Sequence, residues 1–190
     1  HTISILPQVV KKPGYAPHED FTPLGGFATF VNGLAVSPGT PVKSVPEFVE
    51  WVKSQGGKGS VGIPAPASTP EFLVQLIGKR YGLELTPVPY KGSAPMMADM
   101  LGNQIPAGVG SVQDFIEYQR AGKLQMIAVL AALRLAAMPD VPNLAKLGVK
   151  GLEDDPSYGI WAPMGTPTTS TNGFSQAPAR LAPMCAEVTY

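Results

Sequence analysis

Between Phe27 and Ala162 the apolar positions keep two alternating rhythms: short runs, and stripes spaced three or four residues apart. The runs predict strands at Phe27–Val36, Ser60–Ile63, Leu85–Val88, Ile105–Val109, Leu124–Ala131 and Tyr158–Ala162. The stripes predict four helices. Their inward faces are Val45, Phe48, Val49 and Val52; Leu73, Leu76 and Ile77 with Tyr81; Met97, Met100 and Leu101; and Val112, Phe115 and Ile116. A further helix is expected after Pro142, with Leu144 and Leu147 inward. Leu124–Ala131 is a near-continuous apolar run, broken only by Gln125, the pattern of a strand covered on both faces. The first 25 residues and the stretch after Pro167 show no clean period, and no element is assigned there.

Polar punctuation sharpens the helix starts. Four times a short phrase recurs at the head of a stripe: Ser44-Val45-Pro46-Glu47, Ser68-Thr69-Pro70-Glu71, Ser93-Ala94-Pro95-Met96 and Ser111-Val112-Gln113-Asp114. Ser followed three residues later by Glu is a capping box, and Pro in the first turn removes no helical hydrogen bond. Gly56, Gly82, Gly102 and Gly122 supply the stops. Strand–helix alternation with short links predicts an α/β fold: an open, mostly parallel sheet with helices on both faces. In such a sheet the helix N-termini line one edge, where free N–H groups and a partial positive charge favour anions. The Ser44–Ser68 and Ser68–Ser93 spacings, 24 and 25 residues, fit one strand–helix unit each, although the intervening residues do not match as a duplication would.

Composition narrows the function classes. The 190 residues carry no formal net charge and scattered Lys and Arg, against the basic face of a nucleic-acid binder. Glycine and proline, at 21 each, are interspersed with apolar runs, as short loops require. One cysteine, Cys185, excludes an intrachain disulfide. No apolar run is long enough to span a membrane. His1 and His18 are the only histidines and lie in the irregular N-terminal part, so a metal centre or a Ser–His relay has little basis. Gly56-Gly57-Lys58-Gly59-Ser60 has the wrong order and place for a phosphate loop, and no G-x-S-x-G elbow occurs. Met96, Met97 and Met100 read as core, Trp51 and Trp161 as packing residues, and Asp154-Asp155 as a solvated loop pair.

From the middle of the chain a series of motifs appears in order: Val88-Pro89-Tyr90-Lys91-Gly92-Ser93-Ala94-Pro95, Asp99 to Gly102, Ala121-Gly122-Lys123-Leu124, Ile127-Ala128-Val129, Pro139-Asp140-Val141-Pro142 and Ala162-Pro163-Met164-Gly165-Thr166-Pro167. Upstream stand Asp20-Phe21-Thr22-Pro23 and Pro41-Val42-Lys43-Ser44. The series resembles the substrate-binding proteins of tripartite tricarboxylate transporters, the Bug receptor family, over roughly residues 7 to 167. The resemblance implies a two-lobed periplasmic receptor of the periplasmic-binding-protein type II kind. Such a receptor closes on a small di- or tricarboxylate, or on some amino acids and aromatic acids, and hands it to membrane transporter subunits. It implies no enzymatic activity and no cofactor.

The ends depart from the family pattern. The chain starts past the Pro/Gly-rich loop of the first lobe, Thr2-Ile3-Ser4 matches the end of that lobe's second loop, and the tail after Pro167 does not match the family's closing helix. The expected organisation is a first-lobe remnant at 1–25, a nearly complete second lobe at 26–153, a return segment at 154–167 and an unassigned tail at 168–190. With much of one lobe missing, the isolated chain is expected to bind far more weakly than a micromolar receptor.

Three strand–helix loops hold the candidate site. The first is Pro64-Ala65-Pro66-Ala67-Ser68-Thr69, with Pro and Ala where the family's ligand loop is rich in Gly and Ser; Pro66, Ala67, Ser68 and Thr69 would face a carboxylate, or Ser68 would act only as an N-cap. In the second, Lys91 and Gly92 would bring a charge toward the cleft, or Lys91 would be a solvated surface lysine. In the third, Gly110 would admit a ligand and Ser111 would touch it, or the two would form a tight capped turn. None of the four arginines (Arg80, Arg120, Arg134, Arg180) lies in these loops, so recognition would use amides and hydroxyls rather than an arginine clamp. The rival readings are a small α/β hydrolase-like enzyme using the same strand-end cleft, for which no nucleophile–base pair is visible, and a non-binding structural fragment.

Overall fold

A computed structural model describes residues 11–131, 135, 138–149, 157–167 and 169. The expectations placed on residues 1–10, on Asp154-Asp155 and on the tail beyond 169 lie outside these. The chain divides into two compact units, Val31–Asp155, and His1–Phe30 with Pro156–Tyr190.

The larger unit is built on a five-stranded sheet in the order β4-β3-β5-β2-β6, where β2 is Asn32–Val36, β3 Lys58–Ile63, β4 Glu84–Pro89, β5 Ala107–Ser111 and β6 Gln125–Leu130. Strand β3 pairs in parallel with β4 and β5, while β2 runs antiparallel to both β5 and β6. Four strands therefore share one direction and β2 opposes them. Helices α2 (Val45–Ser54), α3 (Thr69–Tyr81), α4 (Ser93–Leu101) and α5 (Val112–Arg120) cover the two faces, and a short 3-10 turn spans Leu144–Leu147.

The hydrophobic period decides which face each helix covers. Strand side chains alternate between faces. Leu34, Val36, Val61, Ile63 and Val109 pack with Val45, Phe48, Val49, Val52, Leu73 and Ile77 of α2 and α3. On the other side Ala35, Met126 and Val129 pack with Met96, Met97, Met100, Val112, Phe115 and Ile116 of α4 and α5. On this second face β3 and β5 present glycines. A Cβ on Gly62 would lie 2.9 Å from Met96 Cγ, and one on Gly108 2.5 Å from Met100 Sδ. The methionines occupy the room that missing side chains leave, so α4 sits close on the sheet.

One of the four serine phrases makes a capping box. The Ser44 hydroxyl oxygen accepts the Glu47 N–H at 3.4 Å and donates to Glu47 Oε1 at 2.8 Å, and Glu47 Oε2 accepts the Lys43 N–H at 2.9 Å. The Lys43 amide and then the Ser44 hydroxyl hold the Glu47 carboxyl below its ordinary range. Ser44 also corrects an expectation. It follows β2, which ends beside Ala107 at the start of β5, so strand direction does not carry it to the edge shared by the other helix starts.

A second correction concerns Phe27–Val36, expected as one strand. It serves two sheets: β1 (Phe21–Thr29) ends at Thr29, and β2 starts at Asn32. At the break the Phe30 ring lies 4.8 Å from the Tyr158 ring, and the Val31 carbonyl accepts the Val112 N–H at 2.8 Å. The smaller unit contains a one-turn helix α1 (Pro17–Asp20) and an antiparallel ribbon of β1 with β7 (Ser157–Pro163), in register from Phe21 opposite Pro163 to Thr29 opposite Ser157.

Candidate functional site

Strand direction gathers the three candidate loops. Ile63 stands beside Pro89, and Gly62 beside Gly108, in parallel register, so β3, β4 and β5 end at one edge of the sheet. Ser68, Ser93 and Ser111 open helices α3, α4 and α5 from that edge. Backbone bonds tie the first two loops together: the Tyr90 N–H donates to the Ile63 carbonyl at 2.8 Å, and the Gly92 N–H to the Pro64 carbonyl at 2.9 Å.

Each serine uses its hydroxyl differently. Ser68 is the N-cap of α3, yet its buried hydroxyl donates to the Ala65 carbonyl at 2.6 Å and closes its own loop. Glu71 Oε2 accepts the Ala67 N–H at 2.6 Å. Ala67 sits at φ +50°, in the left-handed region that favours glycine, the residue type the family loop resemblance led one to expect. Pro66 is exposed and Thr69 half-buried at the first position of α3. Ser93 is the first residue of α4, with Gly92 before it at φ +100°, and donates to Asp114 Oδ2 at 2.6 Å. Lys91 is exposed beside it. At Gly110 the room is taken by the core, because a Cβ there would lie 3.2 Å from Met96 Cε and 3.3 Å from Phe115 Cζ.

The third loop holds a feature the sequence reading missed. Asn32 lies directly opposite Ser111 in the β2–β5 ladder. Asn32 is 1% exposed, and its Nδ2 and the Ser111 Oγ are both buried without a hydrogen-bond partner. Leaving a buried amide or hydroxyl unpaired costs about 1–3 kcal/mol each. Two such atoms at adjoining positions, beside the start of α5, form a place where an acceptor atom of a bound molecule would be stabilised. Asn32 lies inside an apolar run, and its position at the rim follows from the reversed direction of β2, which no local pattern announces.

Residues 1–186 match the family described as tripartite tricarboxylate transporter family receptor, TctC. The chain belongs to this family. BugT of Bordetella pertussis is 27% identical over 164 residues, which cover 86% of this chain and 49% of that protein. A solved periplasmic transporter superposes with a TM-score of 0.87 at 32% identity, over 95% of this chain and 60% of its own. The R. palustris protein Rpa4515, solved with adipate, gives 0.80 at 32% identity, over 89% of this chain and 57% of its own. The chain thus spans about half the length of the BugT relative and under two thirds of these solved chains. The fold is that of periplasmic binding proteins of type II, and the family is one of substrate-binding receptors. Among the described residues no helix is long and apolar enough to cross a membrane, and no group of three or more His, Cys, Asp or Glu is placed to hold a metal.

Proposed function

We propose that this chain is the ligand-gripping part of a periplasmic receptor that captures a small organic carboxylate for a tripartite tricarboxylate-type transporter. The observation that carries the reading is the unpartnered pair Asn32 Nδ2 and Ser111 Oγ at the edge where β3, β4 and β5 deliver three helix starts. Both groups can donate to a carboxylate, and hydrogen bonds to a charged acceptor contribute about 1.5–3 kcal/mol each. Membership in the receptor family and the adipate held by Rpa4515 support the ligand class. Pro66, Ala67, Ser68 and Thr69 on one side, with Lys91 and Gly92 on the next loop, would complete the contact, and Gly110 would shape the third loop from below.

Isothermal titration with malate, citrate and adipate tests the reading. Weak saturable heat, well short of micromolar affinity, is expected with at least one of the three, and Ser111→Ala should weaken it tenfold or more. No heat with any of the three would overturn the proposal. Delivery to a transporter is tested separately, by uptake of the bound acid into cells or vesicles with and without the receptor.

A further inference from the structure

We infer that Asp114 is a positioning residue that clasps the Lys91–Gly92 loop to the helix whose N-cap is Ser111. The inference rests on the receptor reading above, in which both loops touch the ligand, and concerns what holds them in register. The comparison that carries it lies within the molecule. Helices α2, α3 and α5 each have an acid at their third position: Glu47, Glu71 and Asp114. Glu47 turns back on its own entry, to the Ser44 hydroxyl and the Lys43 amide, and Glu71 turns back to the Ala67 amide. In α5 the N-cap Ser111 makes no side-chain cap bond, and its hydroxyl is left without a partner. Asp114 turns across instead. Its Oδ2 accepts the hydroxyl of Ser93, the first residue of α4, at 2.6 Å and from 21 residues away in the chain.

Helix α4 is the start that lacks such a partner of its own. Its N-cap is Gly92, which has no side chain, and its first turn holds no acid. The Asp114 carboxylate supplies an acceptor and a negative charge there while sitting in the first turn of its own helix, so one side chain serves two helix starts. The link between the first and second loops is of another kind. It runs through main-chain bonds, from the Tyr90 N–H to the Ile63 carbonyl and from the Gly92 N–H to the Pro64 carbonyl. The hydrogen bond from the second loop to α5 is made by side chains, Ser93 and Asp114, so it depends on residue identity. Loops already held in register lose less freedom when a ligand arrives, which favours binding.

Protein-observed NMR titration with malate, citrate and adipate reads affinity and loop position together. Asp114→Ala should weaken binding about fivefold or more in the folded protein. It should also shrink the ligand-induced shift of the Gly92 amide at saturation while keeping that of Ser111. Ser93→Ala removes the same bond from its other end and should do likewise, and the double variant should bind no more weakly than the worse single one. Asp114→Asn keeps an acceptor for the Ser93 hydroxyl and should hold affinity within about twofold of the unaltered protein. Should Asp114→Ala fail to fold, Ser93→Ala carries the test. A bond that serves stability alone would lower the urea midpoint of these variants and leave affinity and the Gly92 response unmoved. That result would overturn the inference and leave the receptor standing. Binding of none of the three acids by the unaltered protein would overturn both.

Discussion

The Tyr90 hydroxyl donates a 2.8 Å hydrogen bond to the carboxylate of Asp99, linking the residue just past β4 to the last turn of α4. The lysine–glycine loop that carries Lys91 and Gly92 is held between these two anchors. Desolvation, and then the Asp99 hydrogen bond and charge, push the Tyr90 phenol up to about 12 from an ordinary 10.0. A phenol whose folded pKa is raised contributes stability that is complete below the unfolded value and is lost as pH rises through the folded one. The contribution of Tyr90 should therefore fade between pH 10 and about 12. Tyrosinate absorbance during an alkaline titration should show one late-titrating phenol that Tyr90→Phe removes; an unchanged titration curve would count against the contact.

Asn32 gives a prediction in which stability and binding part ways. Its unpartnered Nδ2 costs the free protein, so Asn32→Leu should leave stability unchanged or raise it by about 1 kcal/mol. Carboxylate affinity should fall at least tenfold in the same variant. Urea denaturation and ligand titration on one sample check both halves. A variant that loses stability without losing affinity would assign Asn32 to the scaffold.

Ala67 stands at φ +50° in the first candidate loop. An L-residue there costs roughly 1–2 kcal/mol, part of which glycine returns to the unfolded chain as entropy. Ala67→Gly should raise the urea midpoint by the equivalent of about 0.5–1 kcal/mol. A lowered midpoint would mean that the methyl group packs more than the backbone strains.

Gly78 is buried inside α3, and alanine would ordinarily strengthen a helix there by about 1 kcal/mol. Here a Cβ would lie 2.9 Å from the Leu83 carbonyl oxygen, a backbone atom that cannot swing aside and that comes from the chain just past the helix. Gly78→Ala should therefore destabilise the protein by about 1–3 kcal/mol despite its helix preference. Thermal and urea midpoints should both fall.

What could be read from the sequence, and what could not, divides along a physical line. Helix faces were legible because each is a local period with its own start and stop: Val45, Phe48, Val49 and Val52 are all buried, as are Val112, Phe115 and Ile116. Errors within stripes were small: Val74 is buried where Leu76 is only half-buried, and Leu101, placed inward, is half-buried, while Met96, Met97 and Met100 are buried as read. Pairing was not legible. The run from Phe27 to Val36 is mostly apolar, and nothing local records that its first part joins β7 and its second part β5 and β6. Strand direction was also silent, which hid Asn32. The serine phrases marked where α2, α3 and α5 begin, and fell one residue inside α4, but not what each hydroxyl bonds: Ser44 binds its own helix, Ser68 the Ala65 carbonyl, and Ser93 a carboxylate from a helix 21 residues away.

The seam between α4 and the sheet is made of thioethers laid into glycine hollows, with Met96 against Gly62 and Met100 against Gly108. Such a seam is chemically fragile in a way a leucine seam is not. Adding one oxygen to Met100 would set a bulky sulfoxide dipole into a dry slot that has no space for it. Peroxide would then act as a wedge, lifting α4 and with it the Ser93 end of the rim. Substituting leucine at Met100 should make the protein resistant to that damage.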